Sequence, residues 1–175
     1  EALRLSTTGS YNTAVGHQSL FSNTTGTQNS ALGQSALKAN TTGNFNTAFG
    51  VNTMFYNITG SENTAVGRYS LYNNTASNNT AIGNNALYAN TTGAHNVAVG
   101  RLALNSNIIG GFNVAVGHGA LMSNTVSYNT AVGHESLTAN TTGVYNSAFG
   151  FGALRASVAS ASNSAFGYKA LFNSV

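Results

Sequence analysis

Asparagine returns at Asn12, Asn29, Asn46, Asn63, Asn79, Asn96, Asn113, Asn129, Asn146 and Asn163, at spacings of 17 or 16 residues. Self-similarity at a short fixed period constrains a fold strongly, because each unit must bury its apolar face against its neighbours. With this Asn as position 0, all ten units carry Ala at position 2, a large apolar residue at position 3 and Gly at position 4. Position 8 is Leu in nine units and Met54 in the other, and position 7 is always small. Three units show the columns: Asn12, Ala14, Val15, Gly16 and Leu20; Asn79, Ala81, Ile82, Gly83 and Leu87; Asn129, Ala131, Val132, Gly133 and Leu137.

Segments of about five residues between polar turns are too short for helices, and a Gly in every unit argues against them as well. Asn-Gly and Asp-Gly pairs, the strongest hairpin signal, do not occur. The expected class is therefore all-β: a parallel β-solenoid or β-roll of ten coils of about 17 residues, stacked about 4.8 Å apart. Two short strands per coil are expected, one over positions 0–4 and one around position 8. In the first, positions 1 and 3 share a face, and Asn and Ala share the other. With two large side chains expected inside each coil, the position-3 column is expected to face inward, with position 1 beside it. Residues 1–11 read as a partial first coil and residues 12–175 as the ten-coil array. The chain enters and leaves mid-repeat, which suggests a segment of a longer fibre or a subunit that stacks end to end.

Asn-Thr-Thr-Gly turns begin at Asn23, Asn40, Asn90 and Asn140, with Asn-Ile-Thr-Gly at Asn57. The Gly at position 14 is expected to supply a positive φ. In the two 16-residue coils the turn is one residue shorter, and Ser77 and Ser127 read as replacements for that Gly. Between Ser157 and Ser162 the turn has neither Asn nor Gly, which predicts a local bend or a change of register.

Charged residues make up only 5% of the chain while 42% is hydrophobic and held in fixed columns, so the composition reads as ordered. Six scattered Lys and Arg give a net charge of +3 without the basic cluster that nucleic acid requires. No apolar run approaches the roughly 20 residues of a membrane helix, so neither nucleic acid nor membrane insertion is expected. Cysteine is absent, which removes thiol chemistry. Phe21, Phe55, Tyr72, Tyr88 and Phe172 occupy position 9, next to Leu and on the opposite face. A second aromatic column, Tyr11, Phe45, Phe112, Tyr128 and Tyr145, precedes the Asn. These outward rings and a thin single-chain core predict self-association, as a homotrimer or a filament.

NTAVG followed by a small residue and Leu resembles the head repeats of trimeric autotransporter adhesins. It is still more similar to the NTAVG, AL and NTTG arrays of phage tail-fibre-like and bacterial surface proteins. The resemblance covers Asn12 to Val175. It implies a trimer of left-handed parallel β-rolls on a cell surface or virion, or otherwise extracellular, acting as stalk or adhesive head. The period here is longer than in the adhesin heads, and Leu stands where they often repeat Ala-x-Gly.

Few residues could carry chemistry. His17, His118 and His134 share position 5, with Glu135 next to the last, but the column also holds Gln34, Val51, Arg68 and Phe151. A full metal-ligand set is missing, and no metal or other cofactor is expected. His134 and Glu135, as strand neighbours, would project to opposite faces. The abundant Ser and Thr lack an orienting acid, so no enzyme is expected. Sequons at Asn23, Asn40, Asn57, Asn73, Asn78, Asn90 and Asn140 read as turn chemistry repeated by duplication. Threonine columns at position 1 and at the turns raise an ice-binding solenoid as an alternative. The expected function is a non-catalytic structural or adhesive fibre segment. Its partners would be itself and a cell-surface glycan or protein, bound weakly at each coil and strongly through many.

Overall fold

The computed structural model describes residues 1–173; Ser174 and Val175, the end of the expected array, lie outside the described residues. Ten three-residue strands form one parallel sheet in chain order: β1 Thr13–Val15, β2 Ser30–Leu32, β3 Thr47–Phe49, β4 Thr64–Val66, β5 Thr80–Ile82, β6 Val97–Val99, β7 Val114–Val116, β8 Thr130–Val132, β9 Ser147–Phe149 and β10 Ser164–Phe166. Every pairing puts like on like, as in Ala81 against Ala98 and Ala98 against Ala115. The chain is a parallel β-solenoid, with no helix among the described residues. Residues 3–9 already bond to the first full coil, through Leu3 N to Ser19 O at 3.1 Å and Thr7 N to Thr24 O at 3.0 Å.

The expected second strand is not present. Around position 8 the backbone turns instead, because residues at positions 6 and 8 take left-handed conformations, such as Gln18 at φ 56° and Leu20 at φ 49°. A run alternating in this way cannot pleat as a strand, yet it still bonds to neighbouring coils. Leu20 N donates to Ala36 O at 3.0 Å, Ser22 N to Lys38 O at 3.0 Å and Ser35 N to His17 O at 2.8 Å. The backbone groups of this side are thus satisfied between coils, as burial requires. Left-handed leucines cost roughly 1–2 kcal/mol each, and burying the side chain returns roughly 1.5–3 kcal/mol. The position-8 column from Leu20 to Leu154 is fully buried.

The strand side is inverted relative to expectation. Ala at position 2 points inward, and in β2–β9 each is at most 1% exposed. The large position-3 residues point out: Val15 is 53% exposed, Leu32 47% and Phe49 42%. Position 1 faces outward with them. The cause is the limited space inside a coil. A Leu, a small position-7 residue and two buried Asn side chains occupy it, leaving room for only a methyl group on the strand side.

Two Asn ladders line the corners. At position 0, Asn29 takes Asn12 Oδ1 with both its backbone N, at 2.9 Å, and its Nδ2, at 3.2 Å. Asn46 does the same to Asn29. At position 11, Asn40 Nδ2 donates to Asn23 Oδ1 at 2.8 Å. The ladders meet at one carbonyl per coil: Gly43 O accepts from Asn29 at 2.8 Å and from Asn40 at 3.1 Å. Gly93 O accepts likewise from Asn79 and Asn90.

That junction explains the turn glycine and corrects its expected role. Gly26, Gly43 and the others at position 14 do not have positive φ. A Cβ on Gly43 would collide with Asn40 Oδ1 and with the carbonyl of Gly60. Close approach is the constraint. Positive φ belongs to position 4, as at Gly100 with φ 132°, where a Cβ would also lie 2.5 Å from Gly117 O.

In the short coils the residue standing in for this Gly is Ala76 or Val126, not Ser77 or Ser127. Ala76 O accepts from Asn63 and Asn74, and Val126 O from Asn113 and Asn124. The serine hydroxyls instead accept the backbone N of Ser61 and Gly111. Near Ser157 the register is unbroken: β9 and β10 pair in step, Ser160 O still accepts from Asn146 Nδ2, and Ser157 and Ser160 bond to each other.

Candidate functional site

Stacking places each repeat position in a column along the rod, so variable positions become ladders on the surface. All nine charged residues belong to positions 5, 6, 9 or 16 of their coils. Positions 0 to 4 and 10 to 15 carry none, so the charges lie along positions 5 to 9 and at the position-16 corner while the sheet face stays neutral.

At position 9, Phe55, Tyr72 and Tyr88 stack with centroids 5.4 and 5.3 Å apart. Tyr56 and Tyr69 close on Tyr72 edge-first, at 5.2 and 5.3 Å. Burial among these rings pushes the Tyr72 phenol above its ordinary pKa, while a hydrogen bond from Arg68 pulls the Tyr69 phenol below it. Phe21 and Phe172 occupy the same column away from this cluster. Cations recur here by rule: Arg4 lies over Phe21, Lys38 over Phe55 and Arg155 over Phe172, each one coil before its ring.

Position 16 builds a second ladder, His95, Phe112, Tyr128 and Tyr145, with centroids 4.8, 5.4 and 5.4 Å apart. Its residues have positive φ, as at Tyr145 with φ 59°, which aims the side chains away from the coil. Position 5 forms a third. Arg101 Nη1 lies 3.2 Å from His118 Nε2, and His118, His134, Phe151 and Tyr168 follow at 5.0, 5.1 and 5.5 Å. The column looked indifferent in sequence because its residue types vary; from Arg101 to Tyr168 stacking unites them as flat groups at coil spacing.

His118, His134 and Glu135 bring their ligand atoms within 4.8 Å of one another. The expectation that His134 and Glu135 diverge fails because Glu135, at φ 53°, is not in a strand. The group is nonetheless poorly arranged for a cation. The imidazoles lie nearly parallel, 23° apart, so their in-plane lone pairs do not converge on one point. Arg155 Nε holds Glu135 at 2.8 Å, and Arg101 flanks His118.

Of the sequon asparagines, Asn23, Asn40, Asn57, Asn90 and Asn140 are wholly buried ladder members, closed to modification once folded. Asn73 is half-buried and Asn78 exposed. The position-11 ladder is what sequence reading missed. Asn recurs there at Asn74, Asn107 and Asn124 as well, including coils whose turns depart from Asn-Thr-Thr-Gly, and that persistence was the available signal. No enclosed pocket opens among the described residues. Comparison with protein-family models, curated proteins and solved structures gives no match.

Proposed function

We propose that this chain is a non-catalytic structural segment of an extracellular fibre, on a virion or cell surface, whose outer ladders make multivalent contacts. The observation that carries the reading is the division of labour within each coil. Every inward column (Ala, Leu and both Asn) serves stacking, and the residues free to vary stand outside in rows. A rod of identical steps suits a spacer, and repeated outward groups let weak contacts add through effective concentration. The resemblance to adhesin and tail-fibre arrays supports the location.

Ring geometry favours a protein surface over sugar rings as the contact. A pyranose stacks on an aromatic face, but in these ladders neighbouring rings cover the faces and leave edges and tyrosine hydroxyls outward. Ice binding is the weaker reading. Position-1 threonines do face outward, but Phe49 and Phe166 protrude among them, and turn threonines such as Thr24 and Thr41 spend their hydroxyls on the next coil's carbonyl.

The test is binding of the fluorescently labelled protein, displayed on beads, to cells and envelope preparations, with Tyr72→Ser/Tyr88→Ser as comparison. Adhesion predicts binding that falls at least tenfold in the variant while circular dichroism is unchanged. Equal binding by both removes the position-9 ladder from the contact, and no binding by either leaves a spacer alone.

A further inference from the structure

The sheet face is the largest surface whose chemistry the fibre reading leaves unexplained. Across β1–β10 it presents only Thr, Ser and Val at position 1 and Val, Leu, Ile and Phe at position 3. No charge interrupts it over ten coils. Solvent-facing sheets normally blunt themselves with charge; here an unbroken apolar row at position 3 runs beside a row of Thr, Ser and Val, and an uncharged apolar stripe of this length marks a contact.

We propose that this face packs against the same face of a second copy of the chain, the two rods lying side by side and parallel. Three observations point to that occupant. The first is pitch. A partner that gains from every coil must repeat at the same spacing of about 4.8 Å, and a second copy does so by construction of its own fold. The second is relief. Position 3 forms a ridge of large side chains, and position 1, about 7 Å away along each strand, forms a shallower row. A two-fold axis parallel to the rods turns each ridge over the partner's shallow row, coil against like coil. An axis along the strands would instead reverse the rods and set ridge on ridge.

The third is volume matching between the rows. Ser30, Ser147 and Ser164, the smallest position-1 residues, accompany Leu32, Phe149 and Phe166, while Val97 and Val114 accompany Val99 and Val116. In these coils the facing row is low where the ridge is high, which evens the summed height across a pair of like coils; Thr47 beside Phe49 makes the one tall step. A flat face also meets one flat partner completely, whereas around a three-fold axis flat faces diverge and touch only along an edge. Pairing is therefore favoured over the trimer implied by the resemblance. The face spans about 45 Å by about 10 Å, which buries on the order of 1,000 Å² in a pair, at the low end for specific interfaces. Dissociation in the micromolar range is expected. This pairing does not rest on adhesion, and its test reads mass and distance rather than binding.

Sedimentation of the full chain from 1 to 200 µM should show a single copy passing to twice the 17.9 kDa chain mass. Val99→Lys/Val116→Lys should remain folded by circular dichroism and raise the dissociation constant at least a hundredfold. Tyr72→Ser/Tyr88→Ser, on another face, should change it less than threefold. Because the chain lacks Cys, Gln34→Cys takes a single spin label. Parallel rods place the two labels within about 25 Å, and antiparallel rods beyond about 35 Å. A monomer at 200 µM, a trimer, a pair that survives the lysines, or the longer label distance would each overturn the proposal. Should the lysine variant misfold, Val99→Thr/Val116→Thr serves instead, with at least a tenfold rise expected and an unchanged constant counting against pairing.

Discussion

The two sides of each coil solve the same problem in opposite ways. On the strand side the backbone is ordinary β-structure, the inward residue is a methyl group and the bulky residue faces out. On the leucine side the backbone is left-handed at two positions per coil, and the bulky residue faces in. Both sides bond coil to coil throughout. Regular secondary structure is thus not what holds the solenoid together. Inter-coil bonding is common to both sides, and apolar burial is concentrated on the less regular one.

Substitutions can break or sharpen that contrast. The largest effect is expected where the sides join, at position 4. Gly100→Val demands φ 132° of a β-branched residue and drives its Cβ to 2.5 Å from Gly117 O. Loss of cooperative melting is expected, and a parent-like melt would remove the reason for the Gly column. Next comes the corner ladder. Asn96 donates to Asn79 Oδ1 and Gly110 O and accepts from Asn113. Asn96→Asp sets a buried carboxylate against two acceptors and should cost about 3–5 kcal/mol near neutral pH. Its folded pKa would lie above the usual carboxylate value. The relative stability of the variant should therefore recover as pH falls through that raised value, and denaturant melts at pH 4 and pH 7 check the sign.

Apolar truncation compares the sides directly. Leu104→Ala should cost about 2–4 kcal/mol by opening a cavity in the buried column. Val99→Ala, on the outward row and half-buried between its neighbours, should cost no more than about 1 kcal/mol when measured below the pairing concentration. Equal losses would mean that the core lies on both faces of the strand. The smallest expected effect reports on the left-handed backbone. Gly119 occupies position 6 at φ 65°, with no backbone crowding its missing Cβ. Gly119→Ala should cost about 1 kcal/mol through conformation alone.

These contrasts also mark what the sequence disclosed. The Asn, Ala, Gly and Leu columns made a stacked parallel array legible, since only like-on-like stacking explains identical residues at identical steps. The second strand was misread because side-chain alternation reports a pleat only where the backbone is extended, and nothing in Ser-Leu or Ala-Leu announces φ near +50°. The inward face was misread because size suggested that Val15 and Phe49 were core. In this coil Asn29 and Asn40 occupy the corners and leave space for Ala31 alone. Gly43 was recognised as necessary, but for its φ rather than for the carbonyl shared by two asparagines. The surface ladders were visible as columns at positions 9 and 16. At position 5, Arg101, His118 and Phe151 share only flatness, a property that emerges once coils stack.

The inside-out strand is the central claim, and thermal unfolding of Val99→Lys, at a concentration where the chain is a single copy, tests it most directly. An outward position 3 predicts a melting temperature within a few degrees of the parent, because the new ammonium group remains in water. A collapse of the cooperative transition would place Val99 in the core and contradict the account.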